Sequence, residues 1–108
     1  MSGGSYDYLY HRIDDAADEI EKNTRPHQPD PAARVYDRPA RRYLSAEESA
    51  EILASLEGER LWFAELLRLV GRAMHDIEWV DSGDYGPGDE VFAIRQVRQF
   101  ARSEVNRG

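Results

Sequence analysis

No cysteine occurs among the 108 residues, which excludes disulfides, thiolate nucleophiles and cysteine-ligated zinc. No apolar run approaches the roughly 18 residues that a membrane span needs. Met1 to Tyr10 lacks the basic-then-apolar order of a signal peptide, so the expected location is the cytoplasm. Positive charge is scarce as well. The net charge is −7 and the pI about 4.9, which opposes binding to a nucleic-acid polymer, since phosphate neutralisation needs a basic surface. A small anion in a local pocket stays compatible with that balance.

Catalytic signatures are also missing. No serine lies in a Gly-x-Ser-x-Gly elbow, and no Gly-x-x-x-x-Gly-Lys-Ser/Thr phosphate loop is present. His75, Asp76, Glu78, Asp81 and Asp84 gather late in the chain. Neighbouring helix positions point to different faces, however, and the usual metal-ligand spacings do not occur. His11 and His27 stand alone. The expectation is a protein that is not an enzyme and carries no metal or cofactor.

What the chain does have is helical periodicity. Its length suits one domain, residues 1–108. Leu9, Ile13, Ala16, Ala17 and Ile20 predict a helix from about Tyr6 to Lys22, with Ser5 as N-cap and an acidic solvated face. Ser45 and Glu48 form a capping-box pattern. The apolar series from Ile52 to Ile77 continues the helix to Trp79, about 50 Å at 1.5 Å per residue. Gly58 is its one weak point, a kink or a break. Leu61-Trp62-Phe63 is apolar at three consecutive positions, which one helix face cannot bury. Either the helix is covered on two sides or it lines an oligomer interface, and the expectation is a homo-oligomer. Asp81 to Gly88 is a turn-rich segment, and a last helix runs from Gly88 or Asp89 to about Arg102. The fold expected is all-α: a three-helix antiparallel arrangement around one long central helix.

Between the first two helices, residues 22–43 hold four of the five prolines and predict an extended loop, either mobile or packed on the helices through Val35, Tyr36 and Tyr43. Six basic residues against two acidic ones give it a net +4, leaving −11 for the remainder.

Two segments suggest a ligand. Ser2, Gly3, Gly4 and Ser5 lead into a helix start, where free amides attract anions, with Tyr6, Tyr8 and Tyr10 beside them. Trp79, Asp81, Ser82, Asp84 and Tyr85 combine rings with carboxylates and exposed backbone. Rings stack on bases, and carboxylates accept from ribose hydroxyls or base amines. The same residues equally make a capped start and a tight turn. Antiparallel helices would bring the two segments together.

These two strings, Met1-Ser2-Gly3-Gly4-Ser5-Tyr6-Asp7-Tyr8 and Glu78-Trp79-Val80-Asp81-Ser82-Gly83-Asp84-Tyr85-Gly86, resemble those of a group of short phage and prophage proteins. The resemblance implies a phage or prophage origin. By analogy with small oligomeric phage proteins, it implies sequestration of a nucleotide-type immune signal in the host cytosol, whether ADP-ribose-derived or a cyclic nucleotide. Arg34, Arg38, Arg41, Arg42 and Arg60 are then the candidate phosphate ligands, because a guanidinium matches phosphate geometry. The plainer reading pairs those arginines with the acidic remainder. The alternative function is a protein–protein module that inhibits a host factor or serves phage assembly, with a nucleotide hydrolase behind both.

Overall fold

The computed structural model describes residues 6, 8–26 and 28–107. Its spine begins where the capping pattern predicts. The Ser45 hydroxyl accepts from the Glu48 amide, and the Glu48 carboxylate accepts in return from the Ser45 amide. From that start α2 (Ala46–Asp81) runs 36 residues without a break. Gly58 sits inside it with nothing near the position of a side chain. At an exposed interior position a glycine costs about 1 kcal/mol, which the rest of the helix absorbs. The end is a glycine stop: Ser82 is the C-cap, and Gly83 turns left-handed at φ 87°.

Two shorter helices flank the spine, each antiparallel to it. α1 (Leu9–Lys22) and α3 (Val91–Arg107) both pack on α2, and among the described residues they make no contact with each other. The architecture is all-α, with most of the described residues in these three helices. No described helix is long and apolar enough to cross a membrane.

Small residues set the α1–α2 contact. Ala17 is fully buried on α1. On α2, Ala64 and Gly71 are buried two turns apart on one face. A side chain at Gly71 would come within 2.6 Å of Asp14 Oδ1 and 3.5 Å of Ile13 Cγ2, so glycine allows the close approach. Polar ties fix the register. Arg68 bridges Asp18 and Glu21, and Arg60 donates through Nε to Thr24 Oγ1 (2.9 Å) and through Nη2 to the Ile20 carbonyl (3.5 Å). Against α3, Trp62 stacks on Phe100 with ring centroids 5.5 Å apart. Leu61 and Phe63, on either side of Trp62, remain exposed.

Three boundaries differ from the sequence reading. α1 begins at Leu9 rather than Tyr6, and Tyr8 is its N-cap in the left-handed region, φ 57°; Ser5 lies outside the described residues. The proline-rich segment contains a short hairpin, β1 (Tyr36–Asp37) with β2 (Arg42–Tyr43), in which Tyr36 pairs with Tyr43 edge-to-face. The hairpin is docked by the Val35 amide, which donates to the buried Ser49 hydroxyl, and by buried Leu44. α3 starts at Val91 and runs past Arg102, because Asp89 and Glu90 spend their carboxylates on the amides of Gly86 and Gly88.

Loss of the cap should be measurable. Ser45→Ala should lower unfolding stability by about 1 kcal/mol in denaturant titration. The bonds from Ser45 hold the Glu48 carboxyl below its usual range. That contribution is therefore present above the ordinary carboxylate pKa and is lost as pH falls through the lowered one. Below that window the wild type and Glu48→Gln should converge, whereas Ser45→Ala, which keeps the amide and loses the pH-independent hydroxyl cap, should stay less stable than the wild type. At Gly71, alanine should be tolerated because the Asp14 carboxylate can swing aside. Gly71→Leu should cost roughly 1–3 kcal/mol by forcing α1 away.

Candidate functional site

The segment singled out at the chain's start and the turn after the long helix do meet. The Tyr6 hydroxyl donates to Asp81 Oδ2 at 2.6 Å, and the Tyr8 amide donates to Glu78 Oε1 at 3.2 Å. α1 therefore takes its first turn from a carboxylate on α2, not from a cap of its own. A left-handed tyrosine costs on the order of 1 kcal/mol, and the bond to Glu78 helps hold it. Glu78 is fully buried, and its Oε2 finds no partner among the described residues. Ser2, Gly3, Gly4 and Ser5 lie outside the described residues.

Around this junction the rings cluster. His75 is the hub: its ring lies 4.8 Å from Tyr10, 5.4 Å from Trp79 and 6.0 Å from Tyr85. Tyr8 and Tyr10 adjoin at 6.1 Å, and Trp79 and Tyr85 at 5.8 Å. The turn is folded onto Trp79, whose carbonyl accepts from the amides of both Asp84 and Tyr85. The Ser82 amide donates to the Glu78 carbonyl. His75 Nδ1 lies 2.9 Å from Asp76 Oδ1, which orients the hub ring. No group of three or more His, Asp or Glu among the described residues is arranged to hold a metal ion.

Beside the hub, a groove of about 520 Å³ opens between α1 and α2. Tyr10, Asp14, Arg68, Gly71, Arg72 and His75 line it. Arg68 is committed to Asp18 and Glu21, which drive its guanidinium pKa higher still. Arg72 is exposed and has no ion pair or hydrogen bond among the described residues. The groove, which Asp18 also lines, therefore combines aromatic rings, two carboxylates of which Asp18 is paired with Arg68, and one uncommitted guanidinium, in a volume typical of small-ligand sites.

The other arginines are elsewhere. Arg60 ties down the end of α1. Arg34 donates to the carbonyls of Pro31 and Ala33, and Arg38 lies over the Tyr36 ring at 5.5 Å. Arg41 and Arg42 are exposed on the hairpin at the start of α2. The helix separates them from Trp79 by about 50 Å at 1.5 Å per residue, so within one chain they share no pocket with it. Arg72 and the hub position of His75 escaped the sequence reading, whereas Tyr10 was placed beside the ligand segment. The available signal was helical phase: His75 follows Gly71 by four residues, which stacks it above a position where α1 packs closely.

The Tyr6–Asp81 bond should be visible in alkaline titration. The hydrogen bond to Asp81, and then the charge of Asp81, push the Tyr6 phenol above its usual range. Its contribution is fully present below the ordinary phenol pKa and is lost as pH rises through the raised one. Above about pH 10, the wild type should lose thermal stability more steeply than Tyr6→Phe.

Set against family models, curated proteins and solved structures, the chain matches none of them.

Proposed function

We propose that the protein is a non-enzymatic binder of a small nucleotide-type ligand, seated in the groove between α1 and α2 below the ring cluster. The observation that carries this reading is the uncommitted Arg72 guanidinium beside Tyr10 and His75 in a groove of about 520 Å³. A base would lie against the ring faces. Asp14 would accept from ribose hydroxyls, and Arg72 would take a phosphate through its planar fork. The phosphate contact thus falls to a residue different from Arg41, Arg42 and Arg60. The likeness of both chain ends to short phage proteins supports a setting in which a phage withdraws a nucleotide signal from host immunity.

A thermal-shift screen tests this, using mono-, di- and cyclic nucleotides and ADP-ribose. A ligand confined to the native state adds RT ln(1 + [L]/Kd), about 2.7 kcal/mol at a hundredfold excess over Kd. One class should shift the melting temperature and be recovered chemically unchanged. Arg72→Ala should reduce that affinity about tenfold with the unliganded melting temperature unaltered, because the side chain is exposed and unpaired. No shift from any of these compounds at millimolar concentration would sink the proposal.

A further inference from the structure

Apolar surface runs the length of α2 between its two flanking helices. Ile52, Leu56 and Phe63 are exposed by 43%, 42% and 46%, although all three are large and hydrophobic. At 100° per residue they fall within about 40° of one another. Val70 and Met74 continue the same line into an apolar groove of about 370 Å³ between α2 and α3, closed at its far side by Ile94 and Val97. α3 half-covers Val70 and Met74, and because α1 and α3 do not touch, the stripe between them is left open at Ile52, Leu56 and Phe63.

The amount of exposed surface points the same way. The chain exposes 7921 Å², whereas about 6,100 Å² is expected of a folded monomer of its 12.4 kDa mass. Its radius of gyration is 18.0 Å, against about 13 Å for a domain of this length. The elongated chain thus leaves about 1,800 Å² more surface open than a compact monomer would, which is room for the roughly 800 Å² per partner that a standard stable interface buries.

Spacing and charge select the occupant. The stripe is symmetric about Phe63: Leu56 and Val70 lie seven residues to either side, Ile52 and Met74 eleven. A two-fold axis at Phe63 therefore lays Ile52 on Met74 and Leu56 on Val70 in an antiparallel pair. The same operation brings Ser45, at the foot of the helix, level with Asp81 at its head. The foot carries the hairpin with its exposed Arg41 and Arg42, beside Glu47, Glu48 and Glu51 in the first turns of α2. At the head, residues 73–94 hold six carboxylates and neither lysine nor arginine. Antiparallel pairing sets the hairpin arginines against these carboxylates, whereas parallel pairing would set the six carboxylates of one copy against the six of the other.

We propose that two copies of this chain pair antiparallel along the α2 stripe centred on Phe63, with each Arg41–Arg42 hairpin lying against the other copy's carboxylate-rich α2–α3 turn. This assignment stands independently of the ligand site, which lies on another face of α2.

Size-exclusion chromatography with light scattering should return twice the mass of one chain, and Phe63→Glu should return a single chain with its helical circular dichroism retained. The absence of native cysteine makes cross-linking clean. Ile52→Cys and Met74→Cys, each prepared alone, mixed and treated with a short bis-maleimide, should yield the 52–74 product in preference to 52–52. Arg41→Glu combined with Arg42→Glu should weaken pairing about tenfold at low salt. A monomeric wild type, a dominant 52–52 product, or a dimer indifferent to the hairpin reversal would each overturn the proposal.

Discussion

A straight helix of 36 residues cannot be enclosed by flanking helices of 14 and 17. That constraint governs the rest of this structure. α1 and α3 each lie along part of α2, and they never close over a common interior. The buried apolar set is accordingly thin, dominated by alanine, while large aliphatic and aromatic side chains stay half-covered. With so little buried apolar volume, specific polar ties must fix where the helices lie. Arg60, Arg68 and Glu78 do so at three levels along the α1–α2 contact.

Those ties also explain what was legible in the sequence. The start of α2 was readable because its determinants, Ser45 and Glu48, are local. The end was readable because Gly83 supplies the left-handed stop. The start of α1 was not, since the group that sets it is Glu78, 70 residues away. The hairpin escaped because each strand is two residues long and its anchors are Ser49 and Leu44, which belong to the next element. Leu61-Trp62-Phe63 was read as needing cover on more than one side. α3 covers Trp62 alone, and its neighbours are left on the surface.

The candidate site divides in the same way. Tyr6, Tyr8, Trp79, Asp81 and Tyr85 were recognisable as residue types suited to a ligand, and antiparallel packing brings their segments together. Their arrangement was not recognisable. Tyr6 and Asp81 are spent on each other, and the rings converge on His75, which the sequence offered only as a member of a carboxylate cluster and not as a ring partner. The arginines were misleading for a related reason. Composition marks residues 22–43 as basic, but only α2's unbroken length shows that this charge sits at the opposite end from the rings.

That separation of charge has a physical consequence of its own. A rod with its basic segment at one end and six carboxylates at the other carries a strong charge asymmetry along its axis. The helix dipole of α2 runs with its positive end at Ser45 and its negative end at Ser82, so it reinforces the asymmetry instead of offsetting it. Within one chain Glu47, Glu48 and Glu51 in the first turns of α2 partly balance the foot, whereas among the described residues the carboxylates of the head meet no lysine or arginine in an ion pair. An inverted second copy would bring the hairpin arginines to that head while covering the stripe. The same asymmetry bears on any anionic ligand. The carboxylate-rich head repels it, so a phosphate there would need a guanidinium close by, and Arg72 is the uncommitted one that lines the groove.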